Sequence, residues 1–390
     1  MNGRLNRISL VTEIDAPCPP PDPRYFSDPA GFETELSRVL MHEATHYWQQ
    51  LSQMYLLFVA DEDWERLNRF RFQGRVDEAG PLSKALRNPH EVLGFSAHDL
   101  SESACRYWDV LNIGPHNRVE AELAKGTELD AESRELYEAS VAAGLFRGPD
   151  DGFTQYTLAI AMRVGAGSYA RPYLYLQDKL GGDAMALFPL LAQWALQTPA
   201  PVTLFETFAT YAGRKLAKWQ KRDAVLRRLT RRSVISQELT ELQMTLYWML
   251  GGDMARLAKK EGFQLWSVGQ FLEFTSLAEH PVYAWAARWA RELGHEVVGR
   301  GLANDMRAGF GRDPDALALL AADRLLALPG GPDARGMLSA YLQPPIHRFS
   351  DDRTWFTGVE PRNDDNVAIA QVCMEIHTWW EDFRSARRGY

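Results

Sequence analysis

Apolar residues recur at intervals of three and four along most of this chain, which is the spacing that buries one face of an α-helix. Residues 28–60 give the clearest example, because Asp28 can cap a helix and Pro29 suits its first position. The apolar residues that then repeat are Phe32, Leu36, Val39, Leu40, Leu51, Met54, Tyr55 and Phe58. A run of alternating polar and apolar residues at 7–14 (RISLVTEI) predicts one short strand.

Short breaks that contain glycine or proline divide the rest of the chain into helical stretches. Two of them share the sequence Leu-Gly-Gly-Asp, at 180–183 and at 250–253, where Gly is expected to end one helix and Asp to cap the next. None of the breaks has the length of a flexible linker. We therefore predict a mainly α-helical protein in which residues 1–390 form a single large domain with at most a short amino-terminal strand element.

Composition restricts the classes of protein that fit this pattern. Hydrophobic residues make up 46% of the chain and charged residues 24%, the balance of a soluble globular protein with a sizeable core. The net charge of −8 is opposite to what a surface that coats nucleic acid requires, so no nucleic-acid partner is expected. The three cysteines, Cys18, Cys105 and Cys373, are far apart, and no run resembles a signal peptide or a membrane span. These features predict a cytoplasmic protein without a membrane partner.

One stretch departs from the acidic balance. Residues 214–232 contain nine Lys or Arg and one Asp, a local charge of +8 that leaves −16 for the rest of the chain. Because Leu216, Trp219, Val225 and Leu229 are spaced among these charges, we predict an amphipathic helix whose charged face meets water. The alternative is a surface for an acidic partner.

The sequence His-Glu-Ala-Thr-His that begins at His42 has the spacing of a metal site. Residues four apart lie on one face of a helix, so His42 and His46 can bring two imidazole nitrogens to one divalent ion. Glu43 can lean over that ion without binding it and take a proton from metal-bound water. Gln50 and Gln53 continue the histidine face with polar groups. We predict zinc at the two histidines with Glu43 as the catalytic base; the alternative is a pair of structural histidines on a partly buried helix.

A third ligand is expected from a carboxylate on a later helix. Glu102 (DLSESAC) and Glu206 (LFETFA) both lie among small and apolar residues, where a carboxylate without a partner would be costly. Glu102 is preferred because it is nearer in sequence and because Asp109 downstream could accept a hydrogen bond from a ligand histidine. His90 and His98 are the next candidates, with exposed loop histidines as their alternative interpretation.

The aromatic segment GSYARPYLYL at 167–176 offers donors that could stabilise negative charge. Attack of water on a carbonyl creates an oxyanion, which Tyr169, Tyr173 or Arg171 could stabilise with a hydrogen bond. Tyr169 is the predicted catalytic donor. The alternative is that these residues belong to the core, with their hydroxyl groups at its rim.

The run HEATHYWQQ resembles the gluzincin type of metallopeptidase, in which HExxH provides two zinc ligands and a Glu on a later helix provides the third. It is most similar to poorly characterised bacterial proteins with an HExxHYxQ helix followed by a Glu-Ser-x-Ala helix. The matching positions are His42, Glu43, His46, Tyr47, Gln49 or Gln50, Glu102 and Ser103, with Cys105 in place of the usual small residue. The resemblance covers about residues 30–110, within a metal-site region at about 28–110. It implies zinc bound by His42, His46 and Glu102, although the interval between the second and third ligands is longer than in compact members of the family.

Three functions are compatible with these residues. The predicted one is a zinc-dependent hydrolase that acts on a peptide bond, with a peptide or another small molecule as substrate. The second is a non-haem oxygenase that modifies a peptide or natural product, because two histidines and a carboxylate also bind Fe²⁺ in that class. The third is a non-catalytic helical protein in which the metal holds two helices together.

Overall fold

The structure is a computed structural model of the 390-residue chain. It describes residues 3–6, 11–17, 39, 42–43, 46, 49, 63, 66–67, 69–74, 86–144, 154–198, 200–221, 236–263, 265, 346–352, 354–356, 374 and 377–387. These residues form two compact units. Unit 1 contains the described residues up to Leu86 and those from Ile346 onward, and unit 2 contains those from Arg87 to Leu265. The single-domain prediction for 1–390 stays a prediction.

A four-stranded sheet in unit 1 joins segments from both ends of the chain. Its strands β1 (Gly3–Leu5), β2 (Val11–Ile14), β3 (Ile346–Phe349) and β4 (Thr354–Phe356) lie side by side in that order. The pairs β1–β2 and β3–β4 are antiparallel, whereas β2 and β3 are parallel. β1 is therefore an edge strand of this sheet.

The sheet is larger than the alternating sequence pattern predicted. The predicted strand at 7–14 corresponds to β2, and residues 7–10 lie outside the described residues. β1, β3 and β4 were not predicted, because strands of three or four residues are too short to establish an alternating pattern.

Besides helical residues at 63, 66–67 and 69–73, which include Phe70, two helical segments belong to the described part of unit 1. The first, here called the motif helix, is described at Val39, His42, Glu43, His46 and Gln49. The predicted helix start at Asp28 and Pro29 lies outside the described residues. The second, here called the carboxy-terminal helix, comprises residues 377–387 and buries Phe383 completely. The ring centroids of Phe383 and Phe70 are 5.3 Å apart, within the range of favourable aromatic packing.

Unit 2 is helical throughout its regular structure, so the prediction of a mainly α-helical fold is confirmed for the described residues. Its helices are α1 (Ala97–Ile113), α2 (Pro115–Ala124), α3 (Ala131–Ala142), α4 (Gln155–Arg163), α5 (Arg171–Leu180), α6 (Ala184–Ala195), α7 (Pro201–Gln220) and α8 (Ser236–Lys260). Short 3₁₀ helices occupy Gly167–Ala170 and Gly181–Asp183. No helix in the described ranges is long and apolar enough to cross a membrane.

The core of unit 2 surrounds α6, which is buried on nearly all sides. Phe188 on this helix contacts three aromatic rings, those of Tyr107, Tyr173 and Phe205, with centroid distances of 5.8, 5.4 and 6.0 Å. Tyr107 is fully buried, and its hydroxyl donates to the Met185 carbonyl oxygen and accepts from the Gln243 side chain. The hydroxyl of a buried tyrosine needs such partners, because water is not available to it.

A buried arginine holds the end of α4 against α1. The Arg106 side chain is 6% exposed, and its Nε donates to the Met162 carbonyl oxygen at 2.8 Å. Its Nη2 donates to the carbonyl oxygens of Ala161, at 2.9 Å, and Val164. The last carbonyl groups of a helix have no partner within the helix, so one guanidinium group satisfies three acceptors that would otherwise be buried unpaired.

The two Leu-Gly-Gly-Asp segments have different structures. At 180–183 the helix break is confirmed, because α5 ends at Leu180 and Gly181 adopts a positive φ of 59°. At 250–253 the predicted break is wrong, because α8 continues through both glycines. A buried apolar stripe crosses the glycine pair and consists of Leu239, Leu242, Leu246, Leu250, Met254 and Ala258. Packing of that stripe outweighs the roughly 1 kcal/mol that each Gly costs in a helix.

The described part of the basic stretch confirms an amphipathic helix. Within α7, Leu216 is buried, while Lys215 forms an ion pair with Asp253 at 3.2 Å and lies over the Tyr211 ring. Residues 222–232 lie outside the described residues. The acidic partner therefore stays a prediction.

We expect Arg106→Met to lower the free energy of unfolding by about 2–4 kcal/mol, because the carbonyl oxygens at the end of α4 lose their buried donor. Chemical denaturation of the full chain measures this change. Arg256→Met is the matched control: Arg256 pairs with Asp253 but its side chain is 66% exposed, so its loss should cost less than about 1 kcal/mol. Equal effects of the two substitutions would contradict the role assigned to Arg106.

Candidate metal centre

The described residues of the motif helix form a polar stripe on a buried face. The residues Val39, His42, Glu43, His46 and Gln49 are separated by three, one, three and three positions, and all but Val39 are polar. A globular helix usually fills positions with this spacing with apolar residues. Glu43, His46 and Gln49 are 3%, 6% and 4% exposed. Burying several polar groups is costly unless they bind one another or a ligand, so this stripe requires a chemical explanation.

The two histidines of the stripe direct the same ring atom at one another. Nε2 of His42 and Nε2 of His46 are 3.2 Å apart, and their rings are inclined by 78°. Two nitrogens bound at about 2.0–2.1 Å to one tetrahedral ion are separated by about 3.3–3.4 Å. The imidazole pair therefore has the spacing of two ligands of one zinc-sized ion.

Gln49 fixes the orientation of the second histidine. Its Oε1 lies 3.1 Å from Nδ1 of His46. An amide oxygen accepts hydrogen bonds, so this contact favours a proton on Nδ1 and leaves Nε2 as the ring nitrogen that can bind a metal. An acceptor at the far side of a ligand histidine selects the ring tautomer that binds metal. Gln50 and Gln53, which the sequence pattern favoured for the polar face, lie outside the described residues, as does Tyr47.

Glu43 is held by the main chain of β1. Its Oε2 accepts a hydrogen bond from the Leu5 N–H at 2.6 Å. A buried carboxyl group is stabilised by such a donor, because it has lost its hydrogen bonds to water. The sequence predicted Glu43 as a base from its place beside His42, but nothing in the spacing pointed to β1 as its partner.

The preferred third ligand lies on α1 in unit 2. The Glu102 side chain is 12% exposed, and its Oε1 is 3.6 Å from Nδ1 of His98, one helical turn earlier. The His98 ring packs edge-on against Tyr169, with centroids 5.8 Å apart. The predicted ligand, the next histidine candidate and the predicted oxyanion donor thus form one cluster in unit 2. Asp109, two turns after Glu102, is also buried.

A hydrogen-bonded turn positions Tyr169 in this cluster. Tyr169 belongs to the 3₁₀ helix Gly167–Ala170, and the neighbouring Ser168 hydroxyl donates to Asp99 Oδ1 at 2.7 Å. Asp99 also accepts from the N–H and hydroxyl of Ser96, the residue that caps α1. Burial, with a further contribution from the Glu102 charge, raises the pKa of Tyr169. Its hydroxyl is therefore protonated at neutral pH and can act as a donor.

The other candidates of unit 2 have different surroundings. The Glu206 side chain is 42% exposed. Its Oε1 lies 3.9 Å from Lys179 Nζ and 3.4 Å from the hydroxyl oxygen of Tyr175. Tyr173 is completely buried in the aromatic core, where burial raises its pKa. Arg171 donates to the Gly94 carbonyl oxygen at 2.8 Å.

The remaining histidine candidate, His90, belongs to a turn. Its Nδ1 lies 3.3 Å and 3.4 Å from the main-chain nitrogens of Val92 and Leu93. This side chain therefore accepts local hydrogen bonds from the backbone, the usual role of a polar residue that shapes a turn.

A second histidine–carboxylate group in unit 1 was not predicted. The ligand atoms of Glu13, His377 and Glu381 lie within 4.8 Å of one another. His377 and Glu381 are four apart on the carboxy-terminal helix, a spacing that could have been noticed, but Glu13 joins them only because the sheet places β2 beside that helix. Arg4 donates to Glu13 at 2.5 Å and to Glu381 at 3.5 Å, so a side-chain cation already pairs with both carboxylates.

The Glu13–His377 contact ties β2 to the carboxy-terminal helix. Nε2 of the buried His377 is 3.1 Å from Glu13 Oε1, and its Nδ1 is 3.4 Å from Asn6 Nδ2. The hydrogen bond from His377 is the largest influence on Glu13; with the nearby Arg4 it outweighs burial and lowers the carboxyl pKa from 4.5 to about 2. We interpret the group as an ion-pair network between the two ends of the chain.

Comparison of the chain with protein-family models, curated proteins and solved structures finds no match. The resemblance to gluzincins therefore stays a prediction based on the quoted motifs.

We expect Gln49→Leu to weaken zinc binding by about 10- to 100-fold, because His46 loses the acceptor that fixes its ring. Gln49→Glu, which keeps an oxygen acceptor at this position, should bind zinc within a few-fold of the wild-type chain. Competition with a chromophoric chelator measures both affinities. If Gln49→Leu binds zinc as tightly as Gln49→Glu, the Gln49 side chain does not orient a ligand.

We also expect Glu13 to contribute to stability against acid. Because its pKa is about 2 in the folded chain and 4.5 otherwise, its contribution is complete above about pH 4.5 and is lost as the pH falls toward 2. Denaturant midpoints should therefore fall less between pH 5 and pH 3 in Glu13→Gln than in the wild type. The exposed Glu138 is the control position, and Glu138→Gln should follow the wild-type curve.

Proposed function

We propose that this protein is a zinc-dependent hydrolase that cleaves a peptide bond. The observation that carries the proposal is the pair of imidazole Nε2 atoms 3.2 Å apart, with Gln49 behind the His46 ring and the buried Glu43 next to His42 in the sequence. Two such nitrogens next to a buried carboxylate fit a metal that activates water better than they fit a structural helix face.

Glu102 is the third ligand that we propose. Its side chain is 12% exposed and lies beside His98 and Tyr169, two groups that can donate hydrogen bonds in a reaction centre. Glu206, in contrast, is more exposed and lies within reach of Lys179 and Tyr175, an environment typical of a surface ion pair. The proposed ligand set is therefore His42, His46 and Glu102, with zinc as the metal and Fe²⁺ as the alternative.

In the proposed reaction, a zinc ion held by His42, His46 and Glu102 would polarise the substrate carbonyl and lower the pKa of water toward neutrality. Glu43 accepts the proton of the attacking water at its carboxylate and then returns it to the departing amine nitrogen. The protonated hydroxyl of Tyr169 donates to the carbonyl oxygen as negative charge develops there. We propose the cytoplasm as the compartment, consistent with the scarcity of cysteine.

The test is Glu43→Gln in the full chain. Gln has nearly the same shape as Glu but cannot take up the proton, so turnover of a quenched-fluorescent peptide library should fall at least 10²-fold. Zinc should stay near one equivalent by elemental analysis, because Glu43 is not a ligand. His46→Ala, which removes a proposed ligand, should lose both zinc and turnover.

Three outcomes would contradict the proposal, and each points elsewhere. Full turnover in Glu43→Gln would exclude Glu43 as the base. Iron instead of zinc after anaerobic purification, with oxygen-dependent modification of a peptide, would favour the oxygenase. Bound zinc that resists exchange, no turnover by the wild type and loss of cooperative unfolding on chelation would favour a structural metal.

A further inference from the structure

The edge strand β1 turns part of its backbone toward the motif helix. The Asn6 N–H donates to the Val11 carbonyl oxygen at 2.8 Å, so Asn6 uses its main chain for the pairing with β2. Successive residues of a strand point their N–H groups in opposite directions. The preceding Leu5 N–H is therefore directed away from β2, and it donates to Glu43 Oε2 at 2.6 Å.

The close approach of β1 to this helix requires glycine at position 3. A Cβ atom on Gly3 would lie 2.5 Å from Val39 Cγ1, 2.8 Å from Glu43 Cγ and 3.0 Å from Glu43 Oε1. Carbon atoms in contact are normally about 3.5–4.0 Å apart. The β-branched Val39 side chain is stiff and 3% exposed, so it cannot give way easily. Any larger residue at position 3 would push the strand away from Glu43.

The opposite face of β1 is also held. Arg4, whose side chain points away from that of its neighbours along the strand, donates to Glu13 on β2 and to Glu381 on the carboxy-terminal helix. The amide of Asn6 contacts the buried His377. Side-chain contacts therefore fix one face of β1, while the backbone at its outer edge holds Glu43.

We propose that β1 is a positioning element for the catalytic base: the Leu5 N–H holds Oε2 of Glu43, and Gly3 allows the strand to come close enough to do so. This inference rests on the proposed role of Glu43. A carboxylate fixed in this way is already oriented when the substrate binds. The reaction is therefore faster, because the carboxylate does not have to be reoriented on the way to the transition state.

The test compares Leu5→Pro with Leu5→Ala in the full chain. Both substitutions remove the leucine side chain, but only proline removes the N–H. Proline is tolerated on an edge strand where the N–H points away from the partner, so the pairing of β1 with β2 should survive. With the quenched-fluorescent peptide library, we expect the kcat of Leu5→Pro to be at least 10-fold below that of Leu5→Ala, with equal KM and equal zinc content.

A second measurement does not depend on turnover. In the wild-type chain the amide hydrogen of Leu5 should exchange slowly, and Glu43→Ala should accelerate its exchange at least 10-fold by removing the acceptor. The amide of Asn6, which donates to β2 instead, should keep its exchange rate and serves as the internal control. Both rates can be followed by NMR with or without added zinc.

The outcomes separate this proposal from the proposed function. Equal kcat values for the proline and alanine variants, or an unchanged Leu5 exchange rate in Glu43→Ala, would overturn the positioning role. If the wild type cleaves no peptide, the hydrolase proposal fails, and the Leu5 exchange rate then decides whether β1 holds Glu43.

Discussion

The burial of the Glu43 carboxylate is the constraint around which unit 1 is arranged. A carboxyl group in a protein interior must replace the hydrogen bonds that it loses from water. Glu43 finds a donor in the backbone of β1, and that contact requires the strand to lie directly on the motif helix. The strand in turn depends on its pairing with β2, whose Glu13 binds the carboxy-terminal helix.

The same constraint operates in unit 2 with different partners. Along one side of α1, His98, Glu102, Arg106 and Asp109 follow at helical spacing and are largely buried. Arg106 is satisfied by the carbonyl groups at the end of α4. Glu102 instead lies beside a histidine and a protonated tyrosine, two groups that can donate a hydrogen bond or a proton to a substrate. One helix thus combines a structural polar contact with the candidate reaction cluster.

Periodicity and motif spacing predicted the parts of this protein that depend on neighbours in sequence. The helical class, the shared face of His42 and His46, and the break at 180–183 all follow from local rules. The continuity of α8 could not be predicted from local rules. The energy that two glycines cost in a helix is smaller than the energy gained by packing the apolar stripe that crosses them.

Contacts between distant segments could not be read from the sequence. No sequence pattern distinguishes Gly3 from the other glycines. Its importance follows only from the close approach of its strand to Val39. Glu13 and His377 carry no spacing signal, since they are 364 residues apart. Gln49 was identified only as one of two matching positions, because a side-chain hydrogen bond to a histidine ring depends on rotamers that a pattern does not specify.

The parallel pairing of β2 with β3 has a consequence for how the chain matures during synthesis. Val11 lies opposite Ile346, so the sheet cannot be completed until residues 346–356 have left the ribosome. Helices form from local contacts and fold early, whereas strand pairing across such a distance is slow. The β1–β2 pair and the motif helix lie within the first 49 residues, so the contact of Leu5 with Glu43 can form before β3 and β4 are added. The contact of Glu13 with His377, in contrast, must wait until the carboxy-terminal helix has been synthesised.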